Sequence, residues 1–124
     1  MKIARVKAGI DLPKGEAAFN MVLRQYKAAA KRRDLSFNLT TEKFRELTKQ
    51  NCFYCGKIPS QIMRHPELNG GYTYNGIDRI DNTVGYFLNN CVPCCYTCNR
   101  AKGQMTQEEF YNWAERVNSL RVGF

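Results

Sequence analysis

Two pairs of cysteines are the residues of this sequence best suited to chemistry. Cys52 with Cys55, and Cys95 with Cys98, are each separated by two residues. That spacing lets both sulfurs of a pair approach one ion from a single turn, and two such turns complete a tetrahedron of thiolates. A four-thiolate tetrahedron is typical of closed structural zinc sites. The sequence therefore predicts one structural zinc ion bound by these four residues.

Two further cysteines complicate this assignment. Cys91 and Cys94 also form a Cys-x-x-Cys pair, and Pro93 lies between them. Proline restricts the backbone, and the pair falls in a segment where a hairpin is predicted. We therefore interpret Cys91 and Cys94 as buried thiols, while an exchange of register between the neighbouring pairs stays open.

Oxygen-bearing side chains lie between the two zinc-binding pairs and directly after the second. Asp78 and Asp81 fall in a segment that alternates apolar and charged residues, and Asn99 follows Cys98. Carboxylate and amide oxygens suit a hard ion such as Mg²⁺, to which a bound phosphate would add ligands. Metal-assisted hydrolysis of a phosphodiester follows as a hypothesis. The alternative is a zinc-stapled module in which Asp78 and Asp81 only form surface ion pairs.

The first half of the chain is predicted to be mainly helical. Apolar residues at helical spacing predict a helix from Glu16 to Arg33, and a second helix is predicted from Thr41 to Lys49. Thr40 is the candidate N-cap of the second helix. Residues 58–76 are rich in Pro, Gly, Asn and Ser, and they are predicted to form a long loop.

The second half is predicted to contain a hairpin and two helices. The strands of the hairpin are predicted at residues 76–81 and at about residues 86–92. A helix is predicted from Cys95 to Lys102, and a capping box at Thr106–Glu109 starts the final helix. The apolar face of the final helix is predicted to be part of the core. Its residues are Phe110, Trp113, Val117 and Leu120.

Positive charge is concentrated in the first half of the chain. The net charge is +8, and residues 1–57 contain 13 Lys or Arg against 5 Asp or Glu, whereas residues 58–124 contain 6 of each class. This balance favours a polyanionic partner, although solubility alone is an alternative reason for it. The residues predicted to contact a phosphate backbone are Lys27, Lys31, Arg32, Arg33, Arg100 and Lys102.

Length and composition favour one cytoplasmic domain. A chain of 124 residues is near the commonest domain size. No segment has the length of apolar sequence that a membrane span needs, and the first residues lack the pattern of a signal peptide. Six cysteines in such a chain indicate metal binding or chemistry rather than disulfides. We therefore expect a cytoplasmic protein with no membrane partner.

The order of these motifs resembles the HNH endonucleases, in particular their small phage-encoded members. The resemblance covers roughly residues 50–103, from Cys-x-x-Cys-Gly through Gly-Ile-Asp-Arg-Ile-Asp-Asn, Gly-Tyr and Asn-Asn to Cys-Cys-x-x-Cys-Asn and a following Lys. It implies an α+β fold in which zinc knuckles hold a ββα-metal core between N-terminal helices and a C-terminal helix. The implied single domain 1–124 consists of an arm (1–13), a basic helical flank (14–50), the zinc-bound core (51–104) and the last helix (105–124).

The resemblance also implies roles for the residues around the hairpin. Asp78 matches the metal-binding acid of the first strand, and Asn99 matches the final metal ligand, so that both would hold Mg²⁺ or Mn²⁺. Asn90 matches the central Asn that orders the loop and positions the base. The histidine base of the family falls on Arg79, which is no practical proton acceptor and would contact the scissile phosphate instead. Proton removal then falls to Asp81, to a metal-bound water or to no group at all.

His65 is the only histidine of the chain. It lies within the predicted loop at residues 58–76, and a lone loop histidine is usually a solvated surface residue. A role as a substitute base is the alternative to that interpretation.

These observations together predict a divalent-metal-dependent DNA endonuclease of the HNH type. Homing, or attack on competing DNA, is the biological role that the habits of the family suggest. Short members often need a dimer or a fused domain for specificity, so a homodimer is one expected assembly. The alternative is a non-catalytic zinc-stapled module that binds nucleic acid through the same basic half. A small scaffold protein is the third interpretation.

Overall fold

Four α-helices and two antiparallel pairs of strands make up residues 12–122, the part of the chain that the computed structural model describes. The fold is therefore of the α+β class. Residues 1–11 of the predicted arm and residues 123–124 of the predicted last helix lie outside the described residues. None of the helices within 12–122 is long and apolar enough to cross a bilayer.

The helices and strands alternate along the chain in small groups. In order, they are α1 (Glu16–Arg32), α2 (Thr41–Thr48), β1 (Gln61–Met63), β2 (Tyr72–Tyr74), β3 (Gly76–Arg79), β4 (Cys91–Cys94), α3 (Tyr96–Lys102) and α4 (Gln107–Val122). A 3₁₀ turn at Leu88–Asn90 directly precedes β4.

The first two helices lie where the sequence predicted them, and they build the main core. The hydroxyl of Thr40 accepts a hydrogen bond of 3.1 Å from the amide of Lys43, which satisfies one of the free donors at the start of α2. Phe19 of α1 and Phe44 of α2 are fully buried, and their ring centroids lie 5.9 Å apart. This aromatic pair joins the two helices.

The predicted loop at residues 58–76 contains a short hairpin instead, so that prediction was wrong in part. β1 and β2 pair antiparallel, with Ile62 opposite Thr73. Tyr72 of β2 is buried, and its hydroxyl forms a hydrogen bond of 2.7 Å with the hydroxyl of Thr48. Strands of three residues are too short to show a clear alternation among so many Pro and Gly residues.

The second hairpin has the predicted first strand and a different second strand. β3 lies within the predicted segment 76–81, but β4 begins at Cys91, so the strand predicted at about 86–92 was wrong for most of its length. β3 and β4 pair antiparallel from Gly76 opposite Cys94 to Arg79 opposite Cys91. α3 follows β4 directly, so that two strands and one helix form a compact ββα unit.

Among the described residues of α4, Phe110 is the one that is buried, and Tyr111 next to it contacts Tyr54 with ring centroids 5.8 Å apart. The capping box is present: the amide of Thr106 donates to Glu109 Oε1 at 2.9 Å, and the amide of Glu109 donates back to Thr106 Oγ1 at 3.1 Å. Phe110 is buried, but Trp113, Val117 and Leu120 are 39%, 55% and 71% exposed. The predicted core stripe was therefore wrong beyond Phe110. Periodicity identifies residues that share a helix face, and it does not tell whether the domain extends far enough to cover that face.

Candidate functional site

Four cysteine sulfurs converge beside the ββα unit. The Sγ atoms of Cys52, Cys55, Cys95 and Cys98 all lie within 4.8 Å of one another. The Sγ atoms of Cys55 and Cys95 are 3.7 Å apart. In a tetrahedral zinc site with Zn–S bonds of about 2.3 Å, sulfurs lie about 3.8 Å from each other. The four cysteines are therefore positioned to bind a metal ion, and their spacing fits zinc.

The first cysteine pair lies in a tight turn that is joined to the sheet. The amide of Cys52 donates to the carbonyl of Lys57 at 2.8 Å, and the amide of Gly56 donates to the carbonyl of Cys52 at 2.9 Å. Gly56 has a φ of +79°, a left-handed conformation that side chains disfavour. The amide of Phe53 donates to the carbonyl of Pro93 at 2.8 Å, which attaches the turn to β4.

The second cysteine pair lies at the start of α3. Cys95 is the N-cap of this helix, and its sulfur accepts a hydrogen bond of 3.4 Å from the amide of Cys98. An ion bound here would therefore join the first turn of α3 to the knuckle at Cys52 and Cys55.

The ionisation of the four cysteines depends on their surroundings. Burial by itself raises the pKa of Cys52, but hydrogen bonds from neighbouring backbone amides outweigh it and lower the pKa to about 6. Burial, and then hydrogen bonds with the neighbouring thiols, raise the pKa of Cys98 well above its ordinary value. A divalent cation at this position would favour the thiolate form of all four cysteines, because its charge compensates theirs.

Cys91 and Cys94 do not belong to the converging set. Cys94 is fully buried beside it, and its thiol donates to the carbonyl of Cys95 at 3.5 Å. Cys91 is buried in β4, and this burial raises the pKa of its thiol to about 11. Both side chains are buried thiols, as the sequence predicted.

A cleft of about 380 Å³ next to β3 brings several predicted residues together. Asp78 and Arg79 reach it from β3, Asn99 from α3 and Arg33 from the end of α1. Asn99 and Arg33 are exposed, whereas Asp78 is buried. Three residues that the resemblance implies for one site, and one of the predicted phosphate contacts, therefore line a single cavity.

Tyr26 forms part of the wall between α1 and β3. Its hydroxyl oxygen accepts a hydrogen bond of 3.0 Å from the amide of Ile77. A β-carbon on Gly76 would lie 2.6 Å from this oxygen, so the close approach needs glycine at that position. Burial raises the pKa of Tyr26 well above its ordinary value, so the hydroxyl keeps its proton.

The carboxylate of Asp78 is bound on both oxygens. The ammonium of Lys102 lies 3.3 Å from Oδ1 and 3.2 Å from Oδ2, and its side chain is fully buried. The hydroxyl of Tyr54 donates to Oδ2 at 2.6 Å and accepts from the side-chain amide of Gln107 at 3.1 Å. Lys102 was predicted to contact a phosphate backbone, but this buried ion pair keeps its ammonium away from the surface.

The groups around Asp78 do not suit a divalent ion bound between Asp78 and Asn99. Mg²⁺ binds carboxylate oxygens at about 2.0–2.1 Å, so an ion on Asp78 would lie within a few Å of the Lys102 ammonium. Arg33 and Arg79 add two more positive charges to the cleft wall. The surroundings of Asp78 therefore oppose the binding of a second cation.

Asn90 orders the loop that connects β3 to the following turn. Its Oδ1 accepts from the amide of Asp81 at 2.9 Å. Its Nδ2 donates to the carbonyls of Asp81, Val84 and Gly85 at 3.1, 3.2 and 3.0 Å. One buried amide therefore fixes both ends of residues 81–85.

Arg79 is held at the edge of the cleft by the same loop. Its Nη1 donates to the carbonyls of Asn82 and Val84 at 2.6 and 2.9 Å, and its guanidinium lies 5.4 Å from the ring centroid of Tyr86. These hydrogen bonds use one of its three nitrogens. A guanidinium held in this way is pre-oriented to bind an anion.

Asp81 and His65 do not line the cleft. The Asp81 carboxylate accepts hydrogen bonds from the hydroxyl and the amide of Thr83 at 2.7 and 2.9 Å, and these bonds lower its pKa. His65 lies in the connection after β1, where its Nδ1 accepts from the amide of Glu67 at 3.1 Å. The structure does not bring either residue to Asp78.

The remaining predicted phosphate contacts are at the surface. Lys27, Lys31 and Arg32 of α1 are exposed. Arg100 of α3 is exposed as well, and it donates to the hydroxyl of Tyr96 at 2.6 Å. These side chains are accessible to a large anionic partner.

Sequence reasoning missed three residues that build the site. Tyr54 binds Asp78, Gln107 binds Tyr54, and Asn75 donates from its side chain to the carbonyls of Gln50 and Lys57 at 2.9 and 3.1 Å. All these contacts join residues far apart in sequence, so no local pattern marks them. One sequence signal indicated where Lys102 lies. It follows Asn99 by three residues on a helix, so both residues lie on the same face.

Comparisons with known proteins give one relative by sequence and one neighbour by structure. No family model matches the chain. Over 86 residues it is 40% identical to the uncharacterized protein R423 of Acanthamoeba polyphaga mimivirus, and this match covers 69% of the chain but 14% of that protein. The chain therefore spans a small part of the length of that relative.

A solved structure with a similar fold is that of the rare-cutting HNH restriction endonuclease PacI. The TM-score is 0.58 at 19% sequence identity, and the match covers 85% of this chain and 80% of that chain. The chain therefore has a fold similar to that of an HNH endonuclease, as the resemblance implied.

Proposed function

We propose that this chain is a DNA endonuclease of the HNH type, which hydrolyses phosphodiester bonds in the cleft beside β3. The observation that carries the proposal is the convergence of Asp78, Arg79 and Asn99 on one cleft of the ββα unit, with Arg33 at its rim. PacI is a restriction endonuclease that perturbs DNA, and the likeness in fold supports the same reaction class for this chain.

Arg79 and Arg33 would bind the scissile phosphate. A guanidinium matches the geometry of a phosphate with two parallel hydrogen bonds, and it stabilises the charge that develops as the phosphodiester is attacked. Asn90 would keep Arg79 in place, because it fixes the loop whose carbonyls hold that guanidinium. Asn99 would orient the phosphate through its exposed amide.

The ion at the four cysteines is proposed to be Zn²⁺ with a structural role. It would fix the start of α3 against the knuckle that is bonded to β4, and it would thereby set the position of Asn99 relative to β3. A four-thiolate site has no open position for substrate, so this ion would not take part in hydrolysis.

The exposed cations of α1 and α3 would hold the DNA backbone. Lys27, Lys31 and Arg32 lie on the last turns of α1, and Arg33 is its C-cap. Arg100 lies on α3. Contacts of this kind position a duplex without reading its sequence.

The second candidate function is a non-catalytic module that binds nucleic acid. One match and one contact favour it: by the resemblance, Arg79 falls where HNH endonucleases have their histidine base, and Lys102 neutralises Asp78. A protein with this cleft would bind the phosphate backbone and leave it intact.

Incubation of zinc-loaded protein with supercoiled plasmid separates the two functions. The reaction is run with Mg²⁺, with Mn²⁺ and without a divalent ion, for the wild type, Arg79→Ala and Asn99→Ala. Arg64→Ala is the matched control, since Arg64 lies in a different hollow of the surface. If the chain is an endonuclease, the wild type nicks the plasmid. The nicking rate should then fall at least tenfold in both cleft variants and stay unchanged in the control. DNA binding without cleavage under all three conditions would establish the second function.

A further inference from the structure

We propose that the Lys102 ammonium takes the place of a divalent cation beside Asp78, so that the cleft is an anion site that binds one backbone phosphate without a metal ion. The identity of the anion rests on the proposed function. The claim that Lys102 replaces a metal ion does not rest on the proposed function, because it concerns contacts within the chain.

The geometry of the ion pair is that of a carboxylate with a bound cation. Lys102 lies 3.2–3.3 Å from both oxygens of Asp78, and Tyr54 completes the set with a short hydrogen bond to Oδ2. The Tyr54 hydroxyl is the donor of this bond, because an ionised carboxylate can only accept. The carboxylate is thus neutralised and hydrogen-bonded by residues of its own domain.

Burial makes this pair a fixed feature of the site. The side chain of Lys102 is 0% exposed and that of Asp78 is 6% exposed. A buried ammonium that lost its carboxylate would stay desolvated without a partner, which is strongly unfavourable. A metal ion that displaced Lys102 from Asp78 would have to offset this loss.

The charges that face the open cleft are then positive. With Asp78 neutralised by Lys102, the charged side chains that line the cleft are Arg33 and Arg79. Tyr26 adds a hydroxyl that accepts from the backbone and still has its own proton to donate. Two guanidinium groups and a hydroxyl donor are suited to a phosphate and unsuited to Mg²⁺.

Manganese titration of the zinc-loaded chain tests the inference. Free Mn²⁺ is followed by electron paramagnetic resonance in buffer freed of other divalent ions, for the wild type and Asp78→Asn, after zinc content has been matched. We expect equally weak binding of Mn²⁺ by both proteins, with no saturable site below about 1 mM. One Mn²⁺ per chain in the wild type that Asp78→Asn loses would overturn the inference.

Lys102→Met supplies a second measurement, with Lys43→Met as the control, since Lys43 is an exposed lysine of α2. Removal of the ammonium leaves Asp78 free to take a metal ion, so Lys102→Met should bind Mn²⁺ at least tenfold more tightly, and Asp78→Asn in that background should abolish the gain. Lys43→Met should behave as the wild type. An unchanged affinity in a folded, zinc-loaded Lys102→Met protein would show that Lys102 is not what excludes the ion.

The outcome is independent of the plasmid assay. A chain that nicks plasmid only with Mg²⁺ or Mn²⁺, through an ion that depends on Asp78, would leave the endonuclease function standing and overturn the inference. A chain that never nicks plasmid, and that takes up Mn²⁺ only after Lys102→Met, would overturn the endonuclease function and support the inference.

Discussion

Lys102 and Arg79 are two cations in places where the resemblance implies a metal ion and a proton acceptor. Lys102 forms a buried ion pair with Asp78, and Arg79 is held by two backbone carbonyls. Each residue provides positive charge at the site but does not provide the chemistry of the group that the resemblance implies there. An ammonium fixed by its own domain cannot carry an activated water, and a guanidinium cannot accept a proton.

Removal of one partner of the buried pair should destabilise the domain, whereas removal of both should not. Lys102→Ala leaves a buried carboxylate without a cation, and we expect a loss of about 3–5 kcal/mol in the free energy of unfolding. Asp78→Asn together with Lys102→Met should recover most of this loss. Urea denaturation of the zinc-loaded proteins measures both values, and equal losses in the single and double variants would contradict the pairing.

Asn90→Ala should destabilise the loop at residues 81–85. The variant loses four hydrogen bonds of a buried amide, and we expect a cost of about 2–4 kcal/mol. Asn82→Ala is the control, because its side chain donates one exposed hydrogen bond, and it should cost less than about 1 kcal/mol. Chemical denaturation compares the two, and similar costs would show that Asn90 does not order the loop.

At the scale of elements, α4 differs from the other helices in how little of its apolar face is covered. Phe110 lies against Tyr54, with ring centroids 5.2 Å apart, whereas the three apolar residues further along the face are exposed. The main core is built by α1, α2 and the two hairpins, and α4 is attached through the contacts of Gln107, Phe110 and Tyr111 with Tyr54.

Substitutions along α4 should therefore have very unequal effects on stability. Phe110→Ala removes a buried ring and should lower the free energy of unfolding by about 3–5 kcal/mol, whereas Leu120→Ala should change it by about 0.5 kcal/mol or less. Thermal and urea denaturation of both variants check this. A large loss for Leu120→Ala would mean that the outer part of α4 is covered in solution.

The end of α1 should set the salt dependence of DNA binding. Lys27, Lys31 and Arg32 are exposed on this helix, and each phosphate contact contributes about −0.9 to the slope of log K against log salt. Replacement of all three by Ala should make the slope shallower by about 2–3. Fluorescence anisotropy with a short duplex at several NaCl concentrations measures it, with Lys43→Ala on α2 as control. An unchanged slope would place the DNA elsewhere.

At the scale of the whole molecule, the cysteine site joins two segments that lie about 40 residues apart in sequence. The knuckle at Cys52 and Cys55 is bonded to β4, and Cys95 and Cys98 begin α3. In a chain of 124 residues, such a staple would add stability to a core of modest size.

Loss of the metal ion should unfold the ββα unit together with the cleft. Cys55→Ala, or treatment with a strong chelator, should lower Tm by about 10 °C or more and abolish DNA binding. Cys91→Ala is the control, since it should retain one zinc ion per chain. Metal analysis and thermal denaturation measure these effects, and an apo protein with an unchanged Tm would contradict the structural role.

Much of the fold and the metal centre could be predicted from the sequence, because the signals involved are local. The Cys-x-x-Cys spacing, the capping residues Thr40 and Thr106 and the periodicity of α1 each depend on neighbours within a few residues. The start of β4 and the hairpin at residues 61–74 could not be predicted, since strands of three or four residues carry little pattern.

The sequence by itself determined which residue types this protein has for chemistry: four paired cysteines, an acid at residue 78, an arginine after it and an amide at residue 99. Only the tertiary structure decided which charges meet. Asp78 and Lys102 are 24 residues apart, and their contact exists because α3 packs against β3 with both side chains buried. Since the energy of a charge depends on its burial and its nearest partners, the same residues that suggest a cation site in sequence form an anion site in space.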